Sequence, residues 1–234
     1  YYAGDERFGA LGVSTSPETY LPRAGGPLPR LEDAQHLSEV VGNIEASEPL
    51  SEIEARIIAG GGSPLGGAKP KALININGEP WVIKFFNNEP VDTPLVEHAT
   101  MTLAAQAGIT VAQTQIIPLV GFNAVAIRRF DRERELRIHS ISAGTAIRAG
   151  TPTGLEPQMG YPELARILRR VGVAQGNVNQ SDARELFRRM VFNILVSNDD
   201  DHLRNHGVLW SPQQRGWRLA PLYDVLPHPQ VGHE

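Results

Sequence analysis

Residues 181–210 read SDARELFRRMVFNILVSNDDDHLRNHGVLW, and residues 211–225 continue SPQQRGWRLAPLYDV. Asp182 followed three positions later by Glu185 is a helix-start signature. Behind it two apolar rows, Leu186/Met190/Ile194 and Phe187/Val191/Leu195, repeat at helical spacing and predict a buried helix. The helix runs into Asn198-Asp199-Asp200-Asp201, and three carboxylates at the negative end of a helix dipole call for a cationic partner. Asn205 follows Asp200 by five positions, and beyond a hairpin-like turn Asp224 closes an expected strand, Leu219–Asp224. An Asp, an Asn five positions on and a second Asp downstream form the polar set of protein-kinase-like phosphoryl transfer. In that reading Asp200 positions the attacking hydroxyl, and Asn205 and Asp224 hold magnesium.

A solvated acidic turn would account for DDDHLRN by itself, so the reading depends on what precedes it. Residues 60–71, Gly-Gly-Gly-Ser-Pro-Leu-Gly-Gly-Ala-Lys-Pro-Lys, place five glycines in eight residues, which lets backbone amides approach a phosphate closely, with Lys69 and Lys71 at the exit. The segment is not a Walker A loop, because Ala68 follows Gly67 where a lysine would stand. Ala72–Asn77 and Trp81–Phe86 flank an Asn-Gly turn and read as a hairpin, which puts Lys84 on a strand. Thr93 and Pro94 open a helix with Leu95, Ala99, Leu103 and Ala104 inward and Gly108 at its end. Glu97 lies in its first turn, where it complements the dipole and can serve as the ion-pair partner that holds Lys84. A second pair of strands, 115–120 and 123–130, follows. The order Gly-rich loop, Lys84, Glu97, Asp200, Asn205, Asp224 is that of a two-lobed kinase, strand-rich first and helical second.

The remaining stretches carry less chemistry. Residues 1–32 read as strand and loop; Asp33 caps a helix bearing Leu37, Val40, Val41 and Ile44, and Ser51 caps a second with Ile53, Ile57 and Ile58. Residues 152–160 read as exposed loop and 162–171 as an amphipathic helix, while His98, His228 and His233 read as surface residues. With 41% hydrophobic and 21% charged residues the chain is an ordinary globular one, long enough for two lobes. It has no cysteine, which excludes disulfides and thiolate metal sites and fits a cytoplasmic location. No apolar run approaches the roughly 20 residues of a membrane helix. A net charge of −4 argues against autonomous nucleic-acid binding, so any DNA role is expected to depend on a partner.

Four stretches carry a family resemblance: Gly61–Lys71 (GGSPLGGAKPK), Val125–Asp131 (VAIRRFD), Phe192–Gly207 (FNILVSNDDDHLRNHG) and Leu219–Val225 (LAPLYDV). Together they resemble the HipA family of kinase toxins. The resemblance implies an α+β, two-lobed, protein-kinase-like fold, with residues 1–127 as the N-terminal lobe and 128–234 as the hinge and the start of the helical lobe. Family members are longer at both ends. It implies a serine/threonine protein kinase that uses ATP and magnesium, is the toxin of a type II toxin–antitoxin pair, and phosphorylates a protein, a translation component in the family. Its partner would be a helix-turn-helix antitoxin, through which alone it would meet DNA. By the same resemblance Asp200 is the catalytic base, and His202 and Asn205 line the ATP and magnesium site. Tyr223 and Asp224 meet nucleotide and metal, Lys84 binds phosphates, and Gly66, Gly67, Ala68, Lys69 and Lys71 belong to the nucleotide cover. Arg128, Arg129 and Phe130 form the hinge beside the adenine, and Ser63 is the autophosphorylated loop serine. A stand-alone small-molecule or lipid-head-group kinase of the same fold is the alternative; retention of Lys84, Asp200, Asn205 and Asp224 argues against a pseudokinase.

Overall fold

The Asn77–Gly78 turn sets the first structural element. Both residues take left-handed backbone (φ 55° and 85°), the type I′ geometry whose twist matches paired strands, and the Asn75 carboxamide oxygen accepts the Gly78 N–H at 2.9 Å. In this computed structural model, which describes residues 6–21, 27–46, 70–86, 89–134, 136–173 and 181–228, the turn joins β1 (Lys71–Ile76) to β2 (Glu79–Phe85). β3 (Thr114–Pro118) and β4 (Asn123–Arg128) complete an antiparallel sheet of order β1-β2-β4-β3. Ala72, Ile74, Ile83, Phe85, Ala124 and Ala126 on one face pack with Leu37 and Val41 of α1 (Ala34–Glu45). Because Lys71 pairs directly with Lys84 across the ladder, the two lysines share the other face.

The chain divides into two compact units, Tyr1–His98 with Gln113–Glu135, and Ala99–Ala112 with Leu136–Glu234. In the second, β5 (Ser140–Ser142), β6 (Gly207–Ser211) and β7 (Gly216–Leu219) form an antiparallel sheet. It packs with α3 (Ala143–Gly150), α4 (Tyr161–Val171) and α5 (Ser181–Leu195) through Ala143, Ile147, Leu164, Ile167, Leu168, Leu186, Val208 and Leu219. A smaller cluster in the same unit joins Met101 and Ala104 to Phe192, Leu222 and Val225. α3 is an element that the sequence reading did not anticipate; its start is marked by Ser142, whose Oγ accepts the Thr145 N–H.

Several expectations are corrected. Residues 6–21 contain no strand, and Arg30 makes only an isolated bridge to Asn75. Asp33 stands at the start of α1 without capping it; its carboxylate takes the Arg30 N–H across a short 3-10 turn. The helix α2 (Thr93–Gln106) begins where expected and ends in a left-handed Gly108, but its buried side is Thr93, Glu97, Thr100, Met101 and Ala104, leaving Leu95 and Leu103 about half exposed. α5 is likewise turned from its apolar rows: Asp182, Leu186, Arg189, Phe192 and Asn193 are buried, while Phe187, Ile194 and Leu195 are exposed. The reason is polar pairing. Asp182 lies inside α5, where it accepts from the Arg218 guanidinium and the Leu219 N–H, and Glu185 binds Arg189 and the Thr110 N–H. Burial lowers the pKa of the Arg189 guanidinium, while Glu185 and the Thr110 carbonyl hold it in place. Finally, the expected strand 219–224 ends at Leu219; Leu222 instead exchanges backbone hydrogen bonds with Thr110 and Ala112. The expected helix after Ser51 lies outside the described residues.

Candidate functional site

In the first unit the Lys84 ammonium lies 2.8 Å from Glu97 Oε1, with the two side chains 8% and 0% exposed. The contact expected between this strand lysine and helix glutamate is therefore present. Regular structure places both partners: the β1–β2–β4 register sets Lys84, and the start of α2, where Asp92 accepts the Leu95 N–H, sets Glu97. Lys71 shares the sheet face of Lys84. At the end of β4, Arg128 pairs with Glu79 at 3.1 Å in a half-exposed contact. Arg129 is different, because its side chain is wholly buried and its guanidinium is consumed by Asp131, by Glu6 and by the Arg7 carbonyl. Phe8 covers it at 5.0 Å and also faces Phe130. Any contact that residue 129 makes with a nucleotide thus falls to its backbone.

In the second unit the loop after α5 turns tightly. The Asp200 carbonyl accepts the His202 N–H and also the Asn205 side-chain amide, at 3.0 Å each, and Asn205 N–H bonds the His202 carbonyl. The amide end of Asn205 is thereby committed, which leaves its oxygen as the donor atom for a cation. Asp200 holds its carboxylate in solvent, 81% exposed. Each of the three consecutive carboxylates stands near a histidine rather than a lysine or arginine: Asp199 meets His228 at 3.0 Å, Asp200 lies 3.8 Å from His202, and Asp201 meets His206 at 2.8 Å. Farther on, Asp224 takes left-handed backbone (φ 61°), a conformation that costs a non-glycine residue free energy and concentrates at functional sites. Beside it the Tyr223 hydroxyl donates to the Arg204 carbonyl, and burial together with the Asp224 charge raises the phenol's pKa.

Sequence reasoning missed one set of residues here. The Tyr161 hydroxyl, at the start of α4, donates to Asp201 Oδ2 at 2.5 Å, and His206 Nε2 lies 2.8 Å from Asp201 Oδ1. Asn193 donates to the Tyr161 oxygen and accepts from Asn198. Burial would raise the Asp201 carboxyl, but the hydrogen bonds from His206 and Tyr161 outweigh it and hold its pKa low; burial and the same carboxylate raise that of Tyr161. The only signal in the sequence was that a third adjacent carboxylate must have a partner.

Ser63, Gly66, Gly67, Ala68 and Lys69 lie outside the described residues, as does His233. Among the described residues no group of three or more His, Cys, Asp or Glu could cage a metal. The donors at hand, the Asp224 carboxylate and the Asn205 oxygen, suit a hard cation that completes its shell with phosphate and water, as magnesium does. No helix of the described residues is long and apolar enough to cross a membrane.

Comparison with known proteins adds to this geometry. The model of the HipA-like C-terminal domain matches residues 63–234. A candidate kinase of Sinorhizobium fredii is 29% identical over 161 residues, covering 64% of this chain and 37% of its own. The serine/threonine-protein kinase toxin HipA of Shewanella oneidensis is 26% identical over 145 residues, covering 56% and 33%. The chain therefore spans well under half the length of these relatives. Among solved structures, the complex of HipA, HipB and operator DNA from Shewanella oneidensis aligns with a TM-score of 0.59 at 22% identity, over 90% of this chain and 53% of that one. The Helicobacter pylori proinflammatory kinase CtkA aligns at 0.52 and 16% identity, over 73% and 59%. At such identities the structures establish the fold, which is α+β and kinase-like.

Proposed function

Because the chain belongs to the family of HipA-like C-terminal domains, we propose that it is the nucleotide-binding and catalytic part of an ATP-dependent serine/threonine protein kinase, the toxin of a type II toxin–antitoxin pair. The observation that carries the reading is the Asp200–Asn205 turn, in which a solvent-facing carboxylate and a fixed amide stand five residues apart. In kinase chemistry the protein contributes little covalently and acts through positioning and charge. Asp200 accepts the proton of the attacking hydroxyl and aims its oxygen. Asn205 and Asp224 hold magnesium, which when bound offsets phosphate charge. Lys84, kept in register by Glu97, binds the phosphates; Gly66, Gly67, Ala68, Lys69 and Lys71 close over them. His202, Tyr223 and the backbone of Arg128–Phe130 line the nucleotide.

The two lobes divide at residues 127/128 in this reading, and the protein acts in the cytoplasm. Its partners are a protein substrate and a helix-turn-helix antitoxin, through which it reaches DNA; the assembly of its Shewanella oneidensis relative with HipB and operator DNA supports this choice. Ser63 is the autophosphorylation site: a phosphate there carries about −1.5 to −2 charge and repels the nucleotide's own phosphates, which switches the kinase off. The test is incubation of the whole protein with labelled ATP, magnesium and a cell extract, with Asp200→Asn as control. Phosphate appearing on serine or threonine of proteins, and on the 60–71 peptide by mass spectrometry, is expected from the wild type alone. Label confined to a small molecule or lipid, or equal labelling by Asp200→Asn, would overturn the reading.

A further inference from the structure

Asp199, Asp200 and Asp201 are chemically identical neighbours, yet their side chains are 66%, 81% and 16% exposed. What separates Asp201 from the other two is a directed chain of hydrogen bonds in which every donor has an acceptor. Asn198 donates to the Asn193 carboxamide oxygen, Asn193 donates to the Tyr161 oxygen, and the Tyr161 hydroxyl donates to Asp201 Oδ2. His206 Nε2 meets Asp201 Oδ1 at 2.8 Å and also lies 3.2 Å from the Tyr161 hydroxyl; the shorter contact assigns an imidazole proton to that nitrogen because a carboxylate can only accept. His206 is 2% exposed and stacks edge-on against the Tyr161 ring at 5.2 Å.

The chain therefore ties the loop down at three points: Asn198 where it leaves α5, Asp201 in its middle and His206 where it enters β6. Asp200 and Asn205 lie between those points. The backbone from 198 to 202 has no helix or ladder to orient it; the Asp200 carbonyl, part of the peptide that joins Asp200 to Asp201, takes both the His202 N–H and the Asn205 side-chain amide, so anchoring the Asp201 side chain fixes the peptide on which Asp200 and Asn205 are set.

We propose that Tyr161 is a positioning residue for this loop: its hydroxyl holds Asp201 inward, which fixes the Asp200–Asp201 peptide and with it Asp200 and Asn205, so that phosphoryl transfer depends on a phenol that acts through another residue. The inference rests on the assignment of Asp200 and Asn205 given above. It also makes the role of Asp201 one of shape rather than charge. An asparagine at 201 keeps an oxygen for Tyr161 and offers an N–H to His206 Nε2. The imidazole must then carry its proton on Nδ1, which is buried without a hydrogen-bond partner, so this variant should keep the shape of the loop at a lower melting temperature.

The experiment compares Tyr161→Phe, Asp201→Asn, Asp201→Leu and Asp200→Asn in the whole protein, measuring kcat, nucleotide Kd and melting temperature. A misplacement of about 1 Å can cost about 100-fold in rate, so Tyr161→Phe and Asp201→Leu should lower kcat by about 10- to 100-fold, with nucleotide Kd measured without magnesium within about 3-fold of wild type. Asp201→Asn should recover kcat to within about 5-fold, while Asp200→Asn stays inactive. If Tyr161→Phe turns over like wild type while Asp200→Asn is dead, the positioning role is wrong and the assignment of the site stands. If Asp201→Asn is as inactive as Asp200→Asn, the Asp201 carboxylate does more than hold shape and the inference fails. If Asp200→Asn is itself active, the assignment of the base fails first.

Discussion

The Lys84–Glu97 pair in the first unit and the 198–207 loop in the second solve the same problem, how to hold a charged group at a defined point, by opposite means. Lys84 and Glu97 are almost completely buried and sit on a strand and a helix. Backbone hydrogen bonds fix both attachment points, and the ammonium then meets one carboxylate oxygen at 2.8 Å. Asp200 is exposed on a stretch without regular structure, and the contacts beside it are made by side chains, Tyr161 and His206 on Asp201. The first arrangement costs stability when one partner is removed. The second should cost rate, because the loop can relax without unfolding the unit around it.

The largest effect that tests this contrast is on Asp200 itself. Asp200→Asn should reduce phosphoryl transfer about 100- to 10,000-fold, the range of a positioned acid or base, while melting temperature and ATP affinity stay near wild type; a parallel loss of stability would show that the loop charge is structural after all. Next, Glu97→Ala leaves the Lys84 ammonium buried without its carboxylate and should cost about 3–5 kcal/mol in denaturant unfolding. The double replacement Lys84→Met with Glu97→Leu should recover most of that stability, since two apolar side chains can take the place of a buried pair, but should not recover nucleotide binding. A double variant that binds ATP normally would remove Lys84 from the phosphate site.

A smaller effect is expected at Asp224. Asp224→Ala should weaken nucleotide binding about 10- to 100-fold in the presence of magnesium, by loss of a direct ligand, and hardly at all in its absence. Titration under the two conditions separates a metal ligand from a residue that only shapes the loop. The smallest effect should come from the exposed Asp199–His228 pair, about two-thirds exposed on both sides. Asp199→Asn should change stability by less than about 1 kcal/mol and leave kcat within about 2-fold. A larger change in rate would mean that all three carboxylates, and not Asp201 alone, orient the loop.

Local chemistry made part of this legible in the one-dimensional pattern. The Asn77–Gly78 hairpin, the start of α2 at Thr93, its left-handed Gly108 and the helix over 161–171 all depend on residues within a few positions of one another. So does the Asp200–Asn205 turn, whose five-residue spacing is the hydrogen bond that closes it. The rotation of the helices was not legible, for a physical reason. Apolar periodicity finds the side of a helix that avoids water, whereas α2 and α5 are turned by polar residues that find partners: Glu97 on Lys84, Asp182 on Arg218 and Arg189 on Glu185. Leu95, Leu103, Phe187 and Ile194 are left outside as a consequence.

By itself, then, the amino-acid sequence determined the hairpin, the order of Lys84, Glu97, Asp200, Asn205 and Asp224 along the chain and the spacing of the 200–205 turn, because each is a matter of neighbours and turn chemistry. Only the tertiary structure decided which charges are spent and which are available. Arg129 is consumed by Glu6 and Arg7, more than 120 positions away, and Asp201 by Tyr161, 40 positions away. A side chain's partner at that separation is chosen by how sheets and helices pack. Two adjacent aspartates that read alike in the sequence end in different surroundings, one in solvent and one held inward, because one of them reaches a phenol that folding brings to it.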